Sequence, residues 1–332
     1  MNVKEILQTG FRYPFPCFKN PYADALQYIT DTEWIDGTYL YLYEDRETVR
    51  KKYKKTRTAH IASHWFPTAS HERFRPVCLL MLWTLYNDDM YEEITPAELP
   101  DIRDRSLAVL RGETEGATAA IPLGPLLASL REELLRYISP ASYGRFVAMI
   151  ERYFNGLEKE LTYKAEHRYP GIDECLAIRE DSLCLYPFLQ LTEIDTGIAL
   201  PDEIHEHPSL KRLQALASRM MLLYNDVQSL IKDQLTGGVY YNLVKVIEYQ
   251  KGVSFEAACA EDIRMHNEDL KEFLMLQRNL PDFGEWHSAV VNWVHYMSIT
   301  LSGWKAVSFN MARYNTATGF PSVETIKQGA PT

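Results

Sequence analysis

The sequence predicts an all-α fold, and three observations predict it. Apolar residues recur at three-to-four-residue spacing over most of the chain, two-residue alternation flanked by hairpin turns is scarce, and Gly/Pro punctuation falls between the periodic stretches. With 332 residues, 46% of them hydrophobic, a sizeable core is feasible. The pattern predicts one domain of roughly ten helices spanning 1–332. A flexible N-terminal segment and a C-terminal tail from about residue 316 flank it.

Taken in order, the amino terminus MNVKEILQTG lacks the apolar centre of a signal peptide. Thr38 to Tyr43 comes nearest to strand-like alternation, but its Asp-Arg-Glu-Thr sequel looks helical. Val77 to Tyr86 is an almost unbroken apolar run that ends in acid. Leu126, Leu127, Leu130, Leu134 and Leu135 repeat as an amphipathic helix does, and so do Phe146, Met149, Ile150, Tyr153 and Phe154. Leu213, Leu216, Met220, Leu223, Val227 and Leu230 carry the period through the second half. Trp293, Tyr296, Met297, Leu301 and Trp304 form an aromatic-rich stripe near the end. Loops are predicted at Pro96 to Pro100, Gly112 to Pro125, Pro201 to Pro208, Thr236 to Gly238 and Thr316 to Pro321.

Composition excludes several roles. A formal charge of −10 without a basic patch argues against nucleic acid as a partner. Five cysteines with irregular spacing and no CxxC read as free thiols in a reducing, cytoplasmic compartment. No run approaches the roughly 20 apolar residues of a membrane span, so no stable membrane insertion is expected. His60 and His64 stand at i, i+4, yet no Glu follows His60 as a zinc-protease helix requires.

The chemistry concentrates in two stretches. In Asn87-Asp88-Asp89-Met90-Tyr91-Glu92-Glu93, Asp88 and Glu92 fall on one helix face, with Asp89 and Glu93 on the neighbouring stripe. Such close like charges repel, and a divalent cation relieves them; oxygen ligands alone point to Mg²⁺ rather than zinc. In the second stretch, Asn225, Ser229 and Asp233 lie at i, i+4 and i+8 among Leu222, Leu223, Val227, Leu230 and Ile231. An amide, a hydroxyl and a carboxylate facing one way can chelate one hard cation, and Lys232 beside them can meet an anion bound to it. An acidic run alone also fits a solvated helix face; the second polar stripe speaks against that.

Asp88-Asp89-Met90-Tyr91-Glu92 and Asn225 to Asp233 resemble the two metal motifs of class I terpene synthases, particularly those of bacterial type. The family's first motif reads DDxxD or DDxxE and its second NDxxSxxxE. Arg179, 46 residues before Asn225, stands where the family carries its diphosphate-sensing arginine, and Arg313-Tyr314 matches its RY pair. Two departures occur. Asp233 replaces the usual Glu and is one methylene shorter. Ser182 and Leu183 stand where an acidic or polar linker and a Gly are common.

The resemblance implies a helical bundle around a deep apolar cavity. It implies three Mg²⁺ ions, with Mn²⁺ the alternative, held by Asp88 with Glu92 or Glu93 on one side and by Asn225, Ser229 and Asp233 on the other. Arg179, Lys232, Arg313 and Tyr314 would bind diphosphate, while Asp89, Asp226 and Ser182 would support these groups from behind. Candidates for the cavity lining are Phe66, Trp83, Phe188, Trp293, Tyr296 and Trp304. The implied substrate is a linear isoprenyl diphosphate, farnesyl or geranylgeranyl, cyclised to a terpene hydrocarbon or alcohol by a monomer or homodimer. A prenyl chain-elongating transferase would carry aspartate-rich motifs on both helices, whereas here the second is Asn/Ser/Asp. A non-catalytic isoprenoid-binding protein would show decayed motifs.

Overall fold

Periodic apolar faces become helices because a helix satisfies its own backbone while burying one stripe. The computed structural model describes residues 3–43, 46–91, 94–309 and 311–314, which contain sixteen α-helices and no strand. The first group is α1 (Val3–Gly10), α2 (Ala23–Ile29), α3 (Glu47–Thr56) and α4 (Thr58–Ser63). Next come α5 (His71–Tyr91), α6 (Leu99–Arg111), α7 (Gly124–Leu134) and α8 (Pro140–Ala165). After α9 (Ile172–Ser182) follow three short helices, α10 (Leu185–Gln190), α11 (Glu193–Thr196) and α12 (Asp202–His205). The last are α13 (Pro208–Thr236), α14 (Leu243–Lys251), α15 (Phe255–Arg278) and α16 (His287–Ser308), and a 3₁₀ turn, Ala312–Tyr314, ends the described chain.

The helix count exceeds the expected ten because short helices occupy segments that read as loops; α12 fills the stretch between Pro201 and Pro208. Thr38 to Tyr43 is not extended: a π-helical segment, Thr30–Thr38, passes into the 3₁₀ turn Leu40–Tyr43. Where a flexible amino terminus is expected, α1 packs on α13 and buries Ile6 and Leu7. The segment from Thr316 lies outside the described residues.

Helix boundaries follow local chemistry. Ser139 caps α8, its Oγ accepting from Ser142 N–H, with Pro140 in the first turn. His207 accepts from Ser209 N–H at the start of α13, and Gly237, at φ +82°, ends it. Asn242 and Ser254 cap α14 and α15 in the same way.

One hydrophobic cluster runs from Ile6 to Met311. The two motif helices, α5 and α13, thread its centre, buried almost all round from Phe74 to Met90 and from Leu213 to Leu230. Trp83, wholly buried, meets Tyr153 and Phe154 edge-on, inside the α5–α8 packing. α8 and α9 approach so closely at Gly156 that a Cβ there would lie 2.6 Å from Ser182 N and 2.9 Å from Asp181 Cβ. That contact sets the depth of Arg179 and Ser182 against α8.

Two predictions follow from this packing. Gly156→Ala forces a backbone shift and should lower stability by about 1–3 kcal/mol, read as a lower urea midpoint at unchanged slope; an unchanged midpoint would mean that the helices have room. Asp195 has both carboxylate oxygens buried, and burial outweighs the nearby Thr68 and Ala69 groups, pushing its pKa from 3.8 to about 7. The folded chain then holds a proton that the unfolded chain has lost, so stability falls as pH rises from about 4 to about 7. Asp195→Asn should flatten the stability curve over that window; parallel curves for the two proteins would refute this.

Candidate active site

The last turn of α5 separates its two aspartates. Asp88 reaches the mouth of a cavity with 43% of its side chain exposed, whereas Asp89 is buried. Arg313 Nη2 donates to Asp88 Oδ2 and to Asp89 Oδ1, each at 2.5 Å, and Lys232 Nζ lies 3.1 Å from Asp88 Oδ2. On the far side, Asp89 Oδ2 accepts from Tyr53 OH at 2.6 Å and pairs with Lys52 Nζ at 3.0 Å. Removal from water would raise both carboxyls, but these cations outweigh it and hold both below the usual carboxylate range. Both are therefore ionised at neutral pH. Glu92 and Glu93 lie outside the described residues.

Across the mouth, α13 presents Asn225, Ser229, Lys232 and Asp233 to the same cavity. The four-residue spacing brings the three oxygen-bearing side chains onto one stripe, as the sequence predicts. Asn225 Oδ1 accepts from Arg179 Nη2 at 3.3 Å, and its Nδ2 donates to Tyr314 OH at 3.2 Å. Ser229 Oγ donates to Asp233 Oδ2 at 2.7 Å, and Asn242 Nδ2 donates to the same oxygen at 2.7 Å. Asp226 faces away from the cavity, accepting from Leu243 N–H at 2.7 Å and so helping to start α14.

Arg179 is more constrained than its expected role suggests. Its guanidinium binds Asp226 through Nε and Nη2 and Glu160 through Nη1 at 2.8 Å, and Ser182 Oγ also donates to Glu160. Burial lifts the Glu160 and Asp226 carboxyls and Arg179 opposes that rise. Arg179 still lines the cavity, with Asn225 as its link to the α13 stripe.

Sequence reading missed Glu160, Lys52, Tyr53 and Asn242, which enter only through tertiary contacts. Asn242 alone left a trace, an Asn ahead of the apolar run that becomes α14.

Below the polar rim the cavity wall is apolar, formed by Trp65, Met81, Tyr153, Phe188, Met221 and Trp304; its empty space, mouth included, is about 840 Å³. Trp65 meets Phe188 and Trp304 edge-on at 4.8 and 5.8 Å. Four expected lining residues lie elsewhere. Trp83 belongs to the helix packing described above. Phe66 is buried beside Asn20, which bonds its carbonyl. Trp293 packs on His205 and donates its indole N–H to Leu189 O, and Tyr296 bonds Thr68. Helical period marks a buried face but does not distinguish a neighbouring helix from a void.

The donor set suits a hard cation: the amide, hydroxyl and carboxylate oxygens of Asn225, Ser229, Asp88 and Asp233 converge on one rim. Among the described residues no three His, Cys, Asp or Glu side chains cluster as a metal site.

The pattern of terpene synthase family 2, C-terminal metal binding, matches residues 79–272, more than half the chain. The chain is 26% identical over 287 residues to germacrene A synthase of Nostoc punctiforme, covering 85% of this chain and 87% of that protein. It is 22% identical over 311 residues to 4-epi-cubebol synthase ((2E,6E)-farnesyl diphosphate cyclizing) of Streptosporangium roseum, covering 92% and 91%. Its fold matches that of linalool/nerolidol synthase from Streptomyces clavuligerus in complex with 2-fluorogeranyl diphosphate. The TM-score there is 0.78 at 19% identity, over 92% of this chain and 99% of that one. No described helix is long and apolar enough to cross a membrane. Helical fold, oxygen-rich rim and matched metal-binding region agree, and the chain belongs to the terpene synthase family as a divalent-metal-dependent class I enzyme of bacterial type.

Proposed function

We propose that this protein ionises and cyclises farnesyl diphosphate, giving a cyclic sesquiterpene hydrocarbon or alcohol and free diphosphate. One observation carries the reading: the oxygen-bearing faces of α5 and α13 flank the mouth of a single aromatic-walled cavity. The farnesyl-cyclising relative from Streptosporangium roseum supports the chain length.

The residues divide the work by position. Asp88, with Glu92 or Glu93, would hold divalent ions on one side, and Asn225, Ser229 and Asp233 on the other. Three Mg²⁺ ions, or Mn²⁺, would supply the positive charge that opposes charge developing on the departing diphosphate. Lys232, Arg313 and Tyr314 line the rim with donors for its oxygens, and such bonds to an anion are charge-assisted. Arg179 reaches the rim mainly through Asn225, which couples the sensor arginine to a metal ligand. Beneath the rim, Trp65, Phe188 and Trp304 exclude water and present ring faces and edges to the isoprenyl chain. An aromatic face attracts a cation by roughly 0.5–2 kcal/mol when desolvated. The released diphosphate, held at the rim beside the cavity, would take the final proton.

With purified protein, farnesyl diphosphate and Mg²⁺ should yield a cyclic product by gas chromatography, and chelation should abolish it. Chain elongation on adding isopentenyl diphosphate would sink the cyclase reading, and so would no turnover with any prenyl diphosphate. Asp88→Ala and Asn225→Leu should each cut turnover by about a hundredfold or more with unchanged helical circular dichroism. Retained activity in either would show that the metal ligands are misassigned.

A further inference from the structure

The rim holds two ionised aspartates against three cations, and the way they share atoms is uneven. Arg313 uses one nitrogen, Nη2, for both Asp88 Oδ2 and Asp89 Oδ1 at 2.5 Å. Its other terminal nitrogen, Nη1, is buried with no partner among the described residues, in a side chain that forms part of the cavity wall. An arginine beside a carboxylate ordinarily takes both oxygens with two parallel N–H···O bonds. Here the second oxygen of Asp89 is already engaged, by Tyr53 OH at 2.6 Å and Lys52 Nζ at 3.0 Å. Both residues come from α3, and Lys52 is only 6% exposed, so they hold that oxygen from behind, away from the cavity.

We propose that Lys52 and Tyr53 are positioning residues: by occupying Asp89 Oδ2 they keep Arg313 from closing a two-pronged pair with Asp89. One guanidinium nitrogen is thereby reserved for the diphosphate. Neither residue touches substrate. The inference rests on the reading of Arg313 as a diphosphate donor and adds to it a reason why the donor stays available. A buried N–H without a partner is costly, which makes an anion that satisfies it a favoured guest. If Asp89 Oδ2 were released, Arg313 would rotate onto it and spend both nitrogens inside the protein.

The test is calorimetric titration of inorganic diphosphate with Mg²⁺ into wild type, Tyr53→Phe, Lys52→Met and Lys52→Arg, beside KM and kcat for farnesyl diphosphate. Tyr53→Phe decides the matter, because it frees part of Oδ2 without changing the charge of the rim. It should weaken diphosphate binding about fivefold to tenfold and raise KM in step, with kcat changed less than about twofold. Lys52→Met should weaken binding at least as much, and Lys52→Arg should restore most of it. If Tyr53→Phe binds diphosphate as tightly as wild type, or loses only thermal stability, the proposal is wrong. If wild type itself does not bind diphosphate with Mg²⁺, the functional reading falls first.

Discussion

Two adjacent carboxylates at the end of an apolar helix can stay ionised only where cations from other parts of the chain meet them. Asp88 and Asp89 are that pair, and the surrounding structure is arranged to supply the cations. Lys52 arrives from α3, Lys232 from α13 and Arg313 from the terminal 3₁₀ turn. Segments distant in sequence are thereby drawn to one rim. The apolar bodies of α5 and α13 make this possible, because they fix both acidic ends at the top of the same core. The cavity lies where the core stops short of that rim.

A second buried cluster repeats the logic one helix away. Arg179 stands between Glu160 and Asp226, each a carboxyl lifted by burial. Breaking such a pair by removing one partner is far more costly than the pair is stabilising, so the cluster specifies geometry more than it adds stability. Its geometry sets two things at once. Asp226 accepts the first N–H of α14 while it anchors Arg179, and Arg179 in turn holds Asn225. The start of α14, the tilt of α9 and the orientation of one expected metal ligand therefore depend on one another.

How far the sequence disclosed this depends on the range of each signal. The stripe Asn225, Ser229, Asp233 was legible because four residues make about one helical turn and the flanking positions are apolar. The place of Asp226 behind these groups came from the motif resemblance alone. Arg179, Arg313 and Tyr314 were marked by motif resemblance, not by any local pattern. Lys52, Tyr53 and Glu160 were invisible, since each matters only through a partner 19 to 37 positions away or farther. The aromatic stripe of α16 shows the limit most plainly: Trp293 and Trp304 share a buried face, yet one packs on His205 and the other on the cavity. Periodicity reports burial, and only the assembled fold says against what.

The shorter acid at position 233 is intelligible on the same physical terms. Glutamate would reach one methylene further into the rim; aspartate leaves its carboxylate close to the helix surface. There it meets Ser229 Oγ and Asn242 Nδ2, both at 2.7 Å on the same oxygen, Oδ2. Asn242 is itself fixed, because its Oδ1 caps α14 through Val244 N–H and its amide also donates to Asp226 O at 2.8 Å. One Asp233 oxygen is thus tied to the junction between α13 and α14, and the other has a defined direction to offer. What the shorter side chain loses in reach it regains in orientation, since a carboxylate braced through a helix cap has fewer rotamers to surrender when it takes a ligand. On the proposed role of Asp233 as a metal ligand, this bracing by Asn242, the cap of the next helix, would offset the shorter reach.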